Sequence, residues 1–173
     1  MAYNPQRHHR RSIRLKNHDY ASPGGYFITI CTHDREHIFG QIRNREMVLN
    51  EFGSIATHCW NALPKHFSHI RLDASVVMPN HFHGILWINQ YPEGHHKTDR
   101  KFGDAIAGSI STIIGSFKSA TSRNINKLRK NTDATVWERN YYEHIIRNQE
   151  AQIDIQKYIL NNPKSWESDR FHD

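Results

Sequence analysis

With 173 residues, 37% of them hydrophobic and 23% charged, the chain has the size and composition of one domain with its own apolar core. Its two cysteines, Cys31 and Cys59, form no CxxC pair, which argues against a disulfide framework and a structural zinc cluster, and no apolar run approaches membrane-spanning length. A net charge of +6 and a pI near 9.4 point toward a polyanionic partner, of which nucleic acid is the commonest.

Residues 1–24 read as a basic arm, with Arg7, Arg10, Arg11, Arg14 and Lys16 set against Asp19. A solvated tail is the plainer alternative for such a charge run. A turn at Ser22-Pro23-Gly24-Gly25 leads into an alternating, β-branched and aromatic stretch, Tyr26 to Thr32, predicted as a strand. A shorter strand around His37 to Ile42 would close a hairpin with it. From Arg45 to Leu63 apolar residues recur at helical spacing (Val48, Phe52, Ile55, Cys59, Ala62), and Pro64 ends that helix. Strands are expected at Ile70 to Met78 and His81 to Ile88, followed by a polar surface loop over 89–104. A second helix is predicted over Ile106 to Leu128, with Lys118, Arg123, Lys127, Arg129 and Lys130 on its outer face and end. A strand over Val136 to Arg147 precedes a last helix that starts at the N-cap Asn148 and stops at Pro163. This order predicts an α+β fold: residues 25–166 form one domain, an antiparallel or mixed sheet covered by helices on one face, with 167–173 as a tail. The first residues lack the apolar stretch of a secretion signal, so a reducing cytoplasm and no membrane association are expected.

The most informative stretch is Val76 to Ile88, VVMPNHFHGILWI. Alternate side chains of a strand share a face, so His81 and His83 would project together while Phe82 turns into the core. Two neutral imidazoles on a rigid strand make two arms of a metal site. Two surface histidines, in a chain that has 14, explain the spacing equally well. The last helix supplies a second pair: Tyr158 and Asn162, four residues apart, share one helical face. If that helix lies across the histidine strand, Asn162 can offer a carbonyl oxygen to the same ion and Tyr158 a phenol beside it. Such a set leaves positions suited to Mg²⁺ or Mn²⁺ and a phosphate oxygen. Taken singly, Tyr158 reads as a core tyrosine and Asn162 as a helix cap.

The succession of PNHFHGILWI strand, basic helix, YYEHIIRN strand and YILNNP helix resembles the single-tyrosine HUH transposases, and more narrowly the REP-associated tyrosine transposases. The likeness runs from about Arg11 to Trp166. It implies a ferredoxin-like antiparallel sheet with helices packed on it, the HUH motif on a central strand and the catalytic tyrosine on the C-terminal helix. Matched position by position, His81 and His83 fall on the metal-ligand histidines, Tyr158 on the nucleophile, and Asn162 on a third ligand that is glutamine in some relatives. The resemblance further implies a divalent metal and cleavage and joining of single-stranded DNA beside a hairpin formed by a palindromic repeat. A 5′-phosphotyrosine and a free 3′ hydroxyl would form, in a bacterial, nucleoid-associated monomer or homodimer. Glu143 and His144 could support the ligands from a second layer or touch DNA, and Arg147 could hold a phosphate. The alternative is a hairpin-binding regulator of DNA or RNA in which the catalytic set is vestigial.

Overall fold

The computed structural model of the chain describes residues 18–93 and 106–172. The arm residues Arg7, Arg10, Arg11, Arg14 and Lys16 therefore lie outside the described residues. Four strands form one antiparallel sheet: β1 (Gly24–Cys31), β4 (Ile70–Val77), β5 (His81–Ile88) and β6 (Tyr142–Ile146), in the order β4-β5-β1-β6. The histidine strand β5 thus lies inside the sheet, paired on both sides, as the resemblance implies.

Its residues are buried in both alternating sets, and the sheet is covered on both faces accordingly. Phe82, Leu86 and Ile88 face a core shared with helices α1 (Glu51–Asn61), which the single-turn α2 (Leu63–His66) follows, and α3 (Ile110–Leu128). There the Trp60 ring of α1 packs against Phe82 at 4.6 Å and against Phe117 of α3 at 5.4 Å. Gly84 makes this approach possible, because a Cβ there would come within 2.7 Å of the Trp60 ring. The other set meets helix α4 (Gln149–Asn161), whose Ile159 is buried with Ile85 and Ile146 while Ile155, Phe27 and Val76 pack around them. The expectation of helices on one face is corrected here. A strand buried on both sides, as HFHGILWI is, has cover on both.

Four elements also differ from those expected. The strand Gly40–Arg43 (β2) pairs with Glu46–Leu49 (β3) in a separate two-stranded sheet, not with β1. Asn44 and Arg45, both with positive φ, form its two-residue turn. The helix expected from Arg45 starts only after Asn50, whose side-chain oxygen accepts from Gly53 N at 3.0 Å. The helix expected from Ile106 begins at Ile110, because Gly108 takes a left-handed φ of 71° and breaks the run. Of the strand expected over Val136 to Arg147, only Tyr142–Ile146 pairs with β1. Before it, Trp137 makes an isolated bridge to Thr32.

The last helix forms where expected, with the Asn148 side chain accepting from Ala151 N at 2.8 Å. Pro163 changes its pitch rather than ending it: a 3₁₀ segment runs on over Asn162–Ser168. Among the described residues no helix is long and apolar enough to cross a membrane.

Candidate metal and tyrosine site

β5 places His81 and His83 side by side on the α4 face of the sheet, ring centroids 4.6 Å apart and both fully buried. A hydrogen bond holds each ring by Nδ1. Thr29, the cross-strand neighbour of His83, stands 2.8 Å from its Nδ1. Asn80 Oδ1 lies 2.9 Å from Nδ1 of His81. The Asn80 amide cannot turn round, because its Nδ2 donates to the Phe171 carbonyl at 2.6 Å. Nδ1 of His81 must therefore carry the proton, and Nε2 keeps its lone pair. That Nε2 is buried without a hydrogen-bond partner.

α4 crosses this face and brings the second pair to the first. The Tyr158 hydroxyl is 3.3 Å from His83 Nε2. Its ring stands edge-on to Phe27 and His83 and remains 42% exposed, so one side of the phenol is open to a ligand. Asn162, one turn further on, is buried with φ −55° and ψ −45°. It is helical, not a left-handed cap. Its Nδ2 donates to Asp169 Oδ2 at 2.8 Å, which leaves Oδ1 as the free acceptor, buried and without a partner.

Two orphaned lone pairs, His81 Nε2 and Asn162 Oδ1, thus belong to one buried cluster. Buried polar groups are rarely left unsatisfied, and lone pairs gathered without a donor fit a cation. Neutral imidazole and amide oxygen, with a carboxylate close by, form a donor set that suits a divalent metal.

Asp169 was not foreseen from the sequence. It belongs to the segment after α4, and its carboxylate lies with the His81 and His83 nitrogens in a group whose ligand atoms are within 4.8 Å of one another. Its other oxygen accepts from Phe171 N at 2.7 Å, a bond that turns the chain back over the site. The Phe171 ring then lies 4.9 Å from His81 and 5.7 Å from His83, and Trp166 stacks above His81 at 6.0 Å.

The electrostatics keep the ligands ready. Burial drives His81 down to about 4, with Arg35 and Arg170 adding to that and Asp169 and the Asn162 amide opposing it. Burial, then the neighbouring His81 and Arg170, hold His83 well below the usual histidine range. Both rings are neutral at pH 7, the form that binds metal. Burial, reinforced by Asp169, raises the Tyr158 phenol, against the pull of Arg170 and Asn162.

The remaining expected residues divide by strand alternation. His144 sits opposite Phe27 and lines an open cleft of about 1040 Å³ shared with Ile155, Tyr158, Asn162 and Arg170. Glu143 sits opposite Ile28, whose side chain belongs to the other face. A role for Glu143 behind the ligands is therefore corrected: a strand sends adjacent residues to opposite sides. Arg147 is exposed beyond the end of β6 that pairs with Gly25, away from the Tyr142 end that pairs with Thr29 beside His83.

No family model matches the chain. Among curated proteins, an uncharacterised protein of Haemophilus influenzae is 41% identical over 177 residues, which cover 98% of this chain and 97% of that one. A second protein from the same organism, named "Putative REP-associated tyrosine transposase", is 26% identical over 164 residues, 89% of this chain and 83% of its own. Among solved structures, the fold is similar to that of a REP-associated tyrosine transposase bound to a REP hairpin. The TM-score is 0.59 at 19% identity, covering 88% of this chain and 74% of that one.

Proposed function

We propose that the chain is a REP-associated tyrosine transposase, the name carried by a curated relative 26% identical to it, and that it cleaves and rejoins single-stranded DNA beside a hairpin, with Tyr158 as nucleophile. One observation carries the reading. The Tyr158 hydroxyl lies 3.3 Å from His83 Nε2, in a cluster where His81 Nε2 and Asn162 Oδ1 are buried without partners.

His81, His83 and Asn162 would hold a divalent cation, Mg²⁺ or Mn²⁺, with Asp169 as the neighbouring carboxylate. When bound, the ion would offset the negative charge that gathers on the non-bridging phosphate oxygens. The chain's own residues do the rest. Asn80 fixes the tautomer of His81 and Thr29 holds His83 by Nδ1, so that both Nε2 atoms face the site. The phenol oxygen attacks phosphorus as it gives up its proton, and the bond to the 3′ oxygen breaks. That oxygen leaves as a hydroxyl after taking up a proton, and the 5′ phosphate stays on Tyr158. Attack by a 3′ hydroxyl reverses the step, rejoins the strand and restores the phenol. The basic arm, Arg7, Arg10, Arg11, Arg14 and Lys16, with Arg147 on the surface, supplies phosphate contacts that position the DNA.

One feature favours a second reading, that of a hairpin-binding regulator without catalysis: Phe171 and Trp166 already cover the imidazoles. Incubation with a hairpin-bearing single strand and Mn²⁺ or Mg²⁺, followed by a denaturing gel, separates the two. The enzyme gives a shifted covalent band that disappears in Tyr158→Phe and in the His81→Ala, His83→Ala double variant, with hairpin affinity retained in Tyr158→Phe. Tight binding with no covalent band from the wild type supports the regulator.

A further inference from the structure

Asp73 sits in β4, where the pairing to β5 slips between Leu72 and Ser75. It is 16% exposed and accepts four hydrogen bonds. Oδ1 takes one from its neighbour Ala74 N at 2.7 Å and one from Gln156 Nε2 at 2.8 Å. Oδ2 takes one from Gln152 Nε2 at 3.0 Å and one from Trp87 Nε1 at 3.3 Å. Arg71 lies 4.0 Å from Oδ2 and covers the Trp87 ring. Burial alone would raise this carboxyl; the hydrogen bonds from Gln156, Ala74, Trp87 and Gln152 more than reverse that and keep it ionised.

Two of the four donors, Gln152 and Gln156, are one turn apart on α4, the helix that carries Tyr158. Ile155 and Ile159 face the sheet. The glutamines lie on one side of that line and Tyr158, with Asn162, on the other. Apolar packing alone resists lifting of a helix far better than rolling, because it is non-directional. A half-buried carboxylate that grips two amides on one flank fixes the roll.

We propose that Asp73 is a positioning residue for the nucleophile: through Gln152 and Gln156 it sets the rotation of α4 about its own axis and so the place of the Tyr158 hydroxyl at His83. The proposal deepens, and rests on, the reading of Tyr158 as the attacking group. The leverage is large. With the phenol oxygen about 8 Å from the helix axis, a roll of about 10° moves it by more than about 1 Å. A misplacement of about 1 Å costs on the order of 10²-fold in rate.

Two variants release the clamp in different ways. Asp73→Ala removes the acceptor; Gln152→Ala with Gln156→Ala removes the helix donors and leaves the bonds to Ala74 and Trp87 in place. At saturating hairpin DNA with Mn²⁺, both should lower the single-turnover rate of adduct formation by about 10²-fold, with hairpin Kd within about threefold of wild type. Asp73→Asn keeps one acceptor and should fall between. Without DNA or metal, both clamp variants should show faster amide hydrogen exchange over 151–161, while β1 and β5 exchange as in wild type. A folded double-glutamine variant with the wild-type rate overturns the proposal, and so does a rate loss matched by an equal loss of hairpin affinity. A wild type that forms no adduct overturns the function proposed above. In that event the exchange comparison still decides the clamp, and unchanged exchange refutes it.

Discussion

Acidifying the metal-free protein should cost stability through its buried imidazoles, and the structure gives the size. In the unfolded chain a histidine titrates near 6.5, whereas burial holds folded His81 at about 4. Between those values the unfolded state binds a proton that the native state refuses. The unfolded state therefore binds more protons, and stability rises with pH across the window. The contribution is fully present above the unfolded value and is lost as pH falls toward 4. From pH 7 to pH 5, His81 alone should account for about 2 kcal/mol. His83 is shifted in the same direction and adds to the loss. Urea denaturation at the two pH values, with chelator present, measures the wild-type difference. The same pair of curves for His81→Gln removes one titrating ring, so its pH dependence should be shallower by about 2 kcal/mol. A pH dependence in His81→Gln equal to that of wild type would show that the His81 ring is not held neutral in the folded chain, and the tautomer argument built on Asn80 would fail with it.

Asn80→Ala should weaken Mn²⁺ binding about 10- to 100-fold, because His81 loses the acceptor that orients it; calorimetric titration giving the wild-type affinity would contradict this. Gly84→Val should destabilise by about 1–3 kcal/mol in urea, since its side chain must enter space held by Trp60 and Phe82. Unaltered stability would mean that the ring stack adapts freely. Neutralising Arg10, Arg11 and Arg14 should weaken hairpin binding and flatten the log–log salt slope by about 0.7–0.9 for each lost phosphate contact. An unchanged slope would exclude the arm from the interface.

How much of the site could be read in advance follows from which parts are periodic. His81 and His83 were legible because a strand repeats every two residues, and Tyr158 with Asn162 because a helix places residues four apart on one face. The two-sided burial of β5 was not legible, because His81 and His83 fit a solvent-facing side of a strand as well as a buried one, and only the packing of α4 puts them in the interior. Asp169 follows no repeat. It enters through a turn closed by its own bonds to Asn162 and Phe171 N, and only the folded backbone brings it to the imidazoles. Asn80 was hidden for a related reason: next to a proline it reads as a turn residue, yet its two amide ends bridge His81 and the returning C-terminal segment. The β2–β3 hairpin was obscured by Arg45, a good helix former held at positive φ. Tyr141 and Tyr142 compete with Tyr158 in the sequence as candidate nucleophiles. Tyr142 is exposed on β6 opposite Thr29, and the hydroxyl at His83 belongs to Tyr158.

The most direct trial of the account is to digest the protein after reaction with a hairpin-bearing single strand and Mn²⁺, and to locate the nucleotide by peptide mass spectrometry. The account predicts a 5′-phosphate-linked nucleotide on the peptide that contains Tyr158. A nucleotide on Tyr141 or Tyr142, or strand cleavage with no modified tyrosine, would contradict it.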